Sequence, residues 1–323
     1  MTDGGFTHEP VLLERVVELF DPVPPGTIVD CTLGGAGHAS AILASRSDLD
    51  LVGIDRDGDA LAAAAARLAL FGRRVRVVRA RFDDISRVIS ELGITGVSGV
   101  LFDLGVSSPQ LDRPERGFSF RNDGPLDMRM DQRQPRTAST VVNEYTSQEL
   151  AEVLKRFGDE RFARRIAAAV VEARPITGTA QLADIVRDAI PAATRRTGGH
   201  PARRSFQAIR MEVNEELVSL RDALDAAVDM LTPGGRAVAM SYHSGEDRLV
   251  KERFRLAETG GCVCPQDLPC GCGATAKVRF VRRGSERATG EEIERNPRAE
   301  SVRLRVVEAL PIDADSGPNT AAS

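Results

Sequence analysis

The chain has 323 residues, of which 42% are hydrophobic and 28% charged, a composition typical of one large or two ordinary soluble globular domains. Aromatic residues make up only 4% and Trp is absent, which disfavours a protein that binds bases mainly by aromatic stacking. The net charge is −4, so the chain is not uniformly basic, although residues 112–211 hold 18 Lys/Arg against 13 Asp/Glu. No apolar run approaches the roughly 18 residues that cross a membrane, and residues 1–5 do not resemble a signal peptide, so we expect a cytoplasmic protein.

The first hundred residues alternate short apolar runs with helical patterns. Strands are predicted at residues 27–31, 51–55, 75–78 and 97–103, and helices near residues 38–44, 60–70 and 85–92. This β–α alternation predicts an α/β fold with a mostly parallel sheet and helices on both of its faces.

The alternation stops after the fourth strand. Residues 111–204 contain no convincing strand, and helices are predicted at 147–157, 162–173 and 179–189, followed by one long helix at 205–231. A fifth strand is predicted at 236–242, and residues 278–281 and 302–307 could close the sheet. We therefore predict a discontinuous core formed by residues 1–111 and 205–310, an inserted helical domain at 112–204, and a disordered tail at 311–323.

A glycine-rich turn between the first strand and the first helix predicts a cofactor site. It runs from Asp30 to His38, and Asp55 ends the next strand, where a carboxylate can accept both hydroxyls of an adenosine ribose. The pattern fits either a dinucleotide or S-adenosylmethionine. Ser40 stands where the dinucleotide pattern has Gly or Ala, and Asp30 would repel a pyrophosphate but suit a sulfonium and an amino cation, so S-adenosylmethionine is favoured over NAD.

The fourth strand ends in a second candidate motif, Asp103-Leu104-Gly105-Val106-Ser107-Ser108-Pro109-Gln110. The carboxyl ends of parallel strands form the binding crevice of such sheets. A carboxylate at this position, followed by a tight Ser-Ser-Pro turn, can accept hydrogen bonds from an exocyclic amine that lies beside the cofactor.

This motif and several others closely resemble the ribosomal RNA small-subunit methyltransferase H family, also called the MraW family. The matching segments are DLGVSSPQLD, RGFSFRNDGPLDMRMD, residues 8–13, residues 204–210 with 213–215, residues 242–244 with 246–248 and 250–251, and residues 296–298. They occur in order from His8 to about Val307, which is nearly the whole chain, and several are long and unusual.

The resemblance implies a Rossmann-like class I methyltransferase core with an inserted helical domain. It also implies transfer of a methyl group from S-adenosylmethionine to the exocyclic N4 amine of a cytosine in the decoding region of small-subunit (16S) ribosomal RNA, within the assembled or assembling subunit. The alternatives are a methyltransferase acting on an amine of DNA or protein, and a Rossmann-type NAD-binding oxidoreductase. The cofactor contacts that the resemblance implies are Ala36, Gly37, His38, Asp55, Phe82, Asp103 and Gln110.

Asp103 is the first catalytic candidate, because acceptors placed on the amine hydrogens favour positive charge at the attacking nitrogen. Ser107, Ser108 and Pro109 are expected to shape the base pocket, and His243, at the end of strand five, to position the base or remove a proton. Two positions depart from the family pattern. Tyr242 stands where Phe is usual, and Gly245 stands where Leu is common, so we expect a looser loop after His243.

Two further features leave alternatives open. The segment Asp123–Met130 and the pairs Arg195-Arg196 and Arg203-Arg204 either contact substrate RNA or belong to packed and solvated surface. Cys262, Cys264, Cys270 and Cys272 form C-x-C-x₅-C-x-C, which suits a structural zinc by composition although the usual spacing is C-x₂₋₄-C. Thiols without metal and a redox disulfide are the other interpretations.

Overall fold

The computed structural model describes residues 10–194, 200–265 and 271–311. The chain forms two compact units, Met1–Leu104 with Leu220–Ser323, called the sheet unit below, and Gly105–Ser219, called the helical unit. The strands are β1 Gly26–Asp30, β2 Leu49–Asp55, β3 Val75–Arg79, β4 Val97–Asp103, β5 Leu231–Ser241, β6 Val278–Phe280 and β7 Arg303–Ala309. The helices associated with them are α1 Leu13–Phe20, α2 Gly37–Ser45, α3 Gly58–Leu68, α4 Ile85–Glu91, α11 Glu216–Met230, α12 Ser244–Thr259 and α13 Gly290–Arg295.

The seven strands form one sheet in the order β3-β2-β1-β4-β5-β7-β6. The first five are parallel, and β7 runs antiparallel to both of its neighbours. The predicted α/β class is confirmed, and the two candidate closing segments are β6 and β7. The strand order reverses between β1 and β4, and in open α/β sheets a ligand binds at the carboxyl ends of the strands beside such a reversal.

The central strands are apolar at successive positions because both faces of the sheet are covered. In β1, Ile28 and Val29 point to opposite faces and are both buried, and they belong to two different hydrophobic clusters. Helices α1 and α2 contribute to the cluster of Ile28, whereas α4 and α11 contribute to that of Val29. The buried apolar residues hold the strands in the sheet, and the polar residues at the strand ends are available to form a binding site.

The helical unit contains α5 Ser108–Asp112, α6 Ala138–Glu144, α7 Ser147–Gly158, α8 Ala163–Glu172, α9 Thr179–Ala189 and α10 Arg203–Asn214, followed by the first turn of α11. It has its own hydrophobic cluster, to which α10 contributes Phe206, Ile209 and Val213. Because α10 packs there, this unit extends beyond residue 204, the end predicted from the sequence. It also begins at Gly105 rather than at residue 112.

The predicted single helix at 205–231 is wrong. Glu215 has a positive φ of 52° and separates α10 from α11, and β5 begins at Leu231, earlier than predicted. Asn214 accounts for the break, because its side chain accepts from the Met130 N–H at 2.9 Å and donates to the Met128 carbonyl at 2.8 Å. Helix α7 begins at Ser147, as predicted, and Thr146 is its N-cap.

Among the described residues, no helix combines the length and the apolar character that crossing a membrane requires. The predicted disordered tail lies outside the described residues from residue 312 onward.

Candidate functional site

Three carboxylates stand at the ends of three neighbouring strands of the sheet unit. Asp30 ends β1, Asp55 ends β2 and Asp103 ends β4, and these strands are adjacent in the sheet. The charges of Asp103 and Asp55 both raise the pKa of Asp30, so the three acids share one electrostatic environment. The sheet unit therefore presents a site that favours a positively charged ligand at its carboxyl edge.

Asp55 organises the glycine turn. Its Oδ2 accepts from the Gly34 N–H at 2.8 Å, and its Oδ1 accepts from the Asp57 N–H at 2.9 Å. Burial raises the pKa of Asp55, while these two hydrogen bonds act in the opposite direction. Since a carboxylate oxygen accepts about two hydrogen bonds, each oxygen keeps an acceptor position for a ribose hydroxyl.

Asp30 is the most buried of the three acids, with 3% of its surface exposed. Its Oδ1 accepts from the Thr32 N–H at 3.1 Å. Burial raises the pKa of Asp30 to about 7, the Thr32 hydrogen bond opposes the rise, and the charges of Asp103 and Asp55 add to it. A cation bound beside Asp30 would restore the ionised form, as the sequence prediction for this residue requires.

Asp103 is held by three elements of the sheet unit. Its N–H donates to Thr32 Oγ1 at 2.6 Å, and its Oδ1 accepts from the Tyr242 hydroxyl at 2.7 Å. Its Oδ2 lies 3.6 Å from His38 Nδ1. The side chain is nevertheless 28% exposed, so a ligand at the edge of the sheet can reach it. Asp103 is therefore oriented and accessible at the same time.

The start of α2 carries three of the predicted cofactor contacts. Ala36 is buried with a positive φ of 59°, and a side chain at Gly37 would collide with the ring of Pro10. The His38 ring is buried, and its Nε2 lies 2.9 Å from the Val11 carbonyl, which requires a proton on Nε2. Because both ring nitrogens face protein groups, we expect the contact at His38 to be made by its backbone N–H.

Phe82, a predicted cofactor contact, follows β3 and is half-buried. Its ring packs edge-to-face on Phe102 at 6.4 Å, and the Arg56 guanidinium lies 6.0 Å from its centroid. Arg56 directly follows Asp55, so the aromatic face and the ribose acceptor lie on connected elements.

His243 is the N-cap of α12. Its Nδ1 accepts from the Glu246 N–H at 3.3 Å, and its Nε2 is buried 3.1 Å from Glu246 Oε1, outside hydrogen-bonding alignment. Glu246 is buried and also accepts from the Tyr242 N–H at 2.9 Å. With Nδ1 occupied by a donor, the neutral ring carries its proton on Nε2, which favours a positioning role for His243 over proton removal.

The four residues after Asp103 that were predicted to line the site lie in the helical unit. Ser107 is the N-cap of α5, Pro109 lies in its first turn, and Gln110 Oε1 accepts from the Ser107 N–H at 3.0 Å. The Ser108 hydroxyl is buried, and no partner for it is found among the described residues. A buried hydroxyl without a partner is costly, so Ser108 is suited to bind a substrate group.

The segment 123–130 is explained by packing within the helical unit. Leu126, Met128 and Met130 are buried in its hydrophobic cluster, and Asp123 Oδ1 accepts from the Ala180 N–H at 2.9 Å. Arg203 and Arg204 are exposed, whereas Arg195-Arg196 lie outside the described residues. The structure thus gives this segment a structural role, and RNA contact by the arginines stays a prediction.

Two contacts could not be assigned from the sequence. Thr32 joins the ends of β1 and β4, because its Oγ1 accepts from the Asp103 N–H. Nothing in the sequence of the turn indicates that this position needs Thr rather than another small residue. The Tyr242 hydroxyl bonds Asp103, and its only signal was that Tyr replaces the usual Phe of the family pattern. Burial and the Asp103 charge raise the pKa of Tyr242, so the hydroxyl keeps its proton and donates.

The sheet order, the glycine turn and the strand-end acids define the class of protein. They are those of a class I methyltransferase, which uses S-adenosylmethionine as methyl donor. The pattern of the MraW methylase family matches residues 5–310, and the chain belongs to this family. The predicted class, enzyme type and co-substrate are confirmed.

Curated relatives cover nearly the whole chain. "Ribosomal RNA small subunit methyltransferase H" of Heliobacterium modesticaldum is 48% identical over 94% of this chain and 99% of its own length. The protein of the same name from Frankia alni is 53% identical over 93% of this chain and 94% of its own length. A solved rRNA methylase from Streptococcus thermophilus covers 92% of this chain and 95% of its own, at 10% identity and a TM-score of 0.41, a similarity too low to support an inference.

Proposed function

We propose that this enzyme transfers a methyl group from S-adenosylmethionine to the exocyclic N4 amine of a cytosine in small-subunit ribosomal RNA. The observation that carries the proposal is Asp103, an oriented and accessible carboxylate at the strand reversal, beside two acids that favour a cationic donor. The names of the curated relatives support ribosomal RNA of the small subunit as the substrate class. Such a substrate places the enzyme in the cytoplasm, where the subunits assemble.

The residues of the sheet unit fit S-adenosylmethionine. Asp55 offers acceptors to the two ribose hydroxyls, Phe82 an apolar ring to the adenine, and Asp30 a charge to the cationic part. A dinucleotide fits poorly, because its negatively charged pyrophosphate would lie against carboxylates that already repel one another.

S-adenosylmethionine supplies a methyl group on a cationic sulfur, which a nitrogen displaces in line. The amine of cytosine is a weak nucleophile, because its lone pair is delocalised into the ring. Asp103 addresses this weakness by accepting a hydrogen bond from the amine, which favours positive charge at nitrogen as the new bond forms. The Tyr242 hydroxyl donates to Oδ1 and so holds the carboxylate in place for the amine.

His243 completes the assignment in the sheet unit, where it positions the start of α12. In the helical unit, the buried Ser108 hydroxyl can bond an acceptor group of the substrate. The target base must leave its stack to enter such a site. We expect the assembled or assembling subunit, rather than naked RNA, to be the substrate.

A basic groove in the sheet unit supports a polyanionic substrate. It has a volume of about 700 Å³ and is lined by Lys251, Arg255 and Arg283, with Glu258 as the acid among its lining residues. Arg305 also lines it but pairs with Asp247 at 2.8 Å. Exposed Lys and Arg side chains are the residues that neutralise RNA phosphates.

The test is mass spectrometry of nucleosides from small-subunit RNA of a deletion strain. We expect loss of one N4-methylated cytidine and its return when the wild-type gene is supplied, but not with Asp103→Asn. An unchanged nucleoside profile in the deletion strain would refute the RNA substrate. Methyl transfer to DNA or protein by the purified enzyme would then favour the alternative.

A further inference from the structure

Three cysteines converge in the segment that links α12 to β6. The Sγ atoms of Cys262, Cys264 and Cys272 all lie within 4.8 Å of one another. They belong to the sheet unit and are far along the chain from the strand-end acids. We propose that these three thiols bind a structural zinc ion, an inference that does not depend on the proposed function.

The convergence of three sulfurs fits a metal better than a disulfide. Zinc binds thiolates at about 2.3 Å in tetrahedral geometry, which places the sulfurs about 3.8 Å apart. The observed sulfurs would move by about 1 Å or less to reach that arrangement. A disulfide requires about 2.05 Å and joins only two sulfurs, so it does not explain why three converge.

The described part of this segment lacks a hydrophobic core of its own, so a cross-link would stabilise it. None of its described residues, 260–265 and 271–277, is a buried hydrophobic residue, and Val263 is 89% exposed. Small domains and loops without enough apolar burial are commonly stabilised by a metal or by disulfides. Zinc would provide here what apolar packing provides elsewhere in the sheet unit.

Backbone hydrogen bonds and tight turns bring the cysteines together. At the start of the segment the Cys262 N–H donates to the Thr259 carbonyl at 3.1 Å, and at its end the Lys277 N–H donates to the Ala257 carbonyl at 2.9 Å. Gly261 and Gly273 have positive φ values of 77° and 69°, so tight turns lie next to Cys262 and Cys272. Both ends of the segment are thus tied to the end of α12, and the three sulfurs lie close together.

The chemistry of the ligands selects the metal and its role. Soft thiolates bind zinc strongly and magnesium or calcium weakly. We assign a structural role, since the strand-end site already contains the groups that the methyl transfer requires. The fourth cysteine of the motif, Cys270, lies outside the described residues, and the assignment rests on the other three.

Metal analysis of the full-length protein, purified under reducing conditions, tests the site. We expect about one zinc per chain, and at least a tenfold weaker affinity after Cys262→Ser, Cys264→Ser or Cys272→Ser. Val263→Ser is the matched control, because it places the same residue between two ligands without removing a thiol. It should keep the zinc.

Cobalt substitution and thiol titration provide independent readouts. Cobalt bound by three or more thiolates gives a sulfur-to-metal charge-transfer band, which should weaken in each Cys→Ser variant. Chelation should make the cluster thiols reactive, whereas Cys31, buried with a raised pKa, should stay unreactive in the folded protein. Reduced wild-type protein that takes up neither zinc nor cobalt, or a disulfide among these cysteines in the isolated enzyme, would overturn the proposal.

Discussion

Replacing Asp30 by Asn should separate the stability of the enzyme from its affinity for the cofactor. Asp30 is almost completely buried, and its pKa is raised from 3.8 to about 7. Such a rise corresponds to roughly 4 kcal/mol by which ionisation is harder in the folded than in the unfolded chain. Asn has nearly the same size, keeps an oxygen for the Thr32 N–H and cannot ionise.

The direction of the pH dependence of stability follows from the pKa of Asp30 in the folded protein and its pKa in the unfolded chain. Between pH 4 and 7 the folded protein holds a proton on Asp30 that the unfolded chain has released, so the wild type loses stability as pH rises. From pH 5 to pH 8 this loss amounts to roughly 3 kcal/mol. Asp30→Asn removes this loss of stability. From pH 5 to pH 8, the free energy of unfolding of the variant should therefore rise relative to that of the wild type by the same roughly 3 kcal/mol.

Urea unfolding of the enzyme without cofactor, at half-unit steps from pH 5 to pH 8, measures this difference. Asp50→Asn, an exposed acid in β2, is the control and should track the wild type. Calorimetry should show that S-adenosylmethionine binds the wild type about tenfold more tightly at pH 8 than at pH 6, because binding requires Asp30 to ionise. The variant should bind more weakly with little pH dependence. A stability difference that does not change with pH would refute the reasoning.

Four further predictions concern the other site residues. Asp55→Ala should weaken cofactor binding tenfold to a hundredfold, on the basis of roughly 1.5–3 kcal/mol for a charge-assisted hydrogen bond, and calorimetry that shows unchanged affinity would exclude Asp55 as the ribose acceptor. Asp103→Asn should lower single-turnover methylation far more than cofactor affinity, and near wild-type turnover at saturation would contradict its catalytic role. Tyr242→Phe should keep the fold and move the acidic limb of the turnover–pH profile to higher pH, because the Asp103 carboxylate loses a donor; an unmoved profile would argue against positioning by the hydroxyl. Replacing both Lys251 and Arg255 by Ala should weaken subunit binding and reduce the slope of log affinity against log salt by about 2, whereas Lys277→Ala, a cation paired with Asp229, should change neither much.

The sheet could be predicted from the sequence because its strands are short, apolar and regularly spaced. The break between α10 and α11 could not, since residues 205–231 have a continuous helical pattern and the break depends on Asn214, whose partners Met128 and Met130 are more than 80 residues away. Local patterns carry no information about a contact at that sequence separation. The extent of the helical unit was missed for the same reason, because only packing shows that α10 belongs to its core.

The sequence predicts the site residues whose positions a motif defines. It does not predict which hydrogen-bond partner a side chain contacts in the folded protein. The strand-end acids follow from the pattern of the sheet, and their roles as acceptors follow from chemistry. Tyr242 shows the limit: as a substitution within a motif it looked conservative, because it preserves an aromatic ring. The added oxygen lies 2.7 Å from the Asp103 carboxylate and so changes the environment of the first catalytic candidate. A match to a family pattern therefore identifies which residues form the site, whereas the contacts that tune Asp103 in this chain come from the structure.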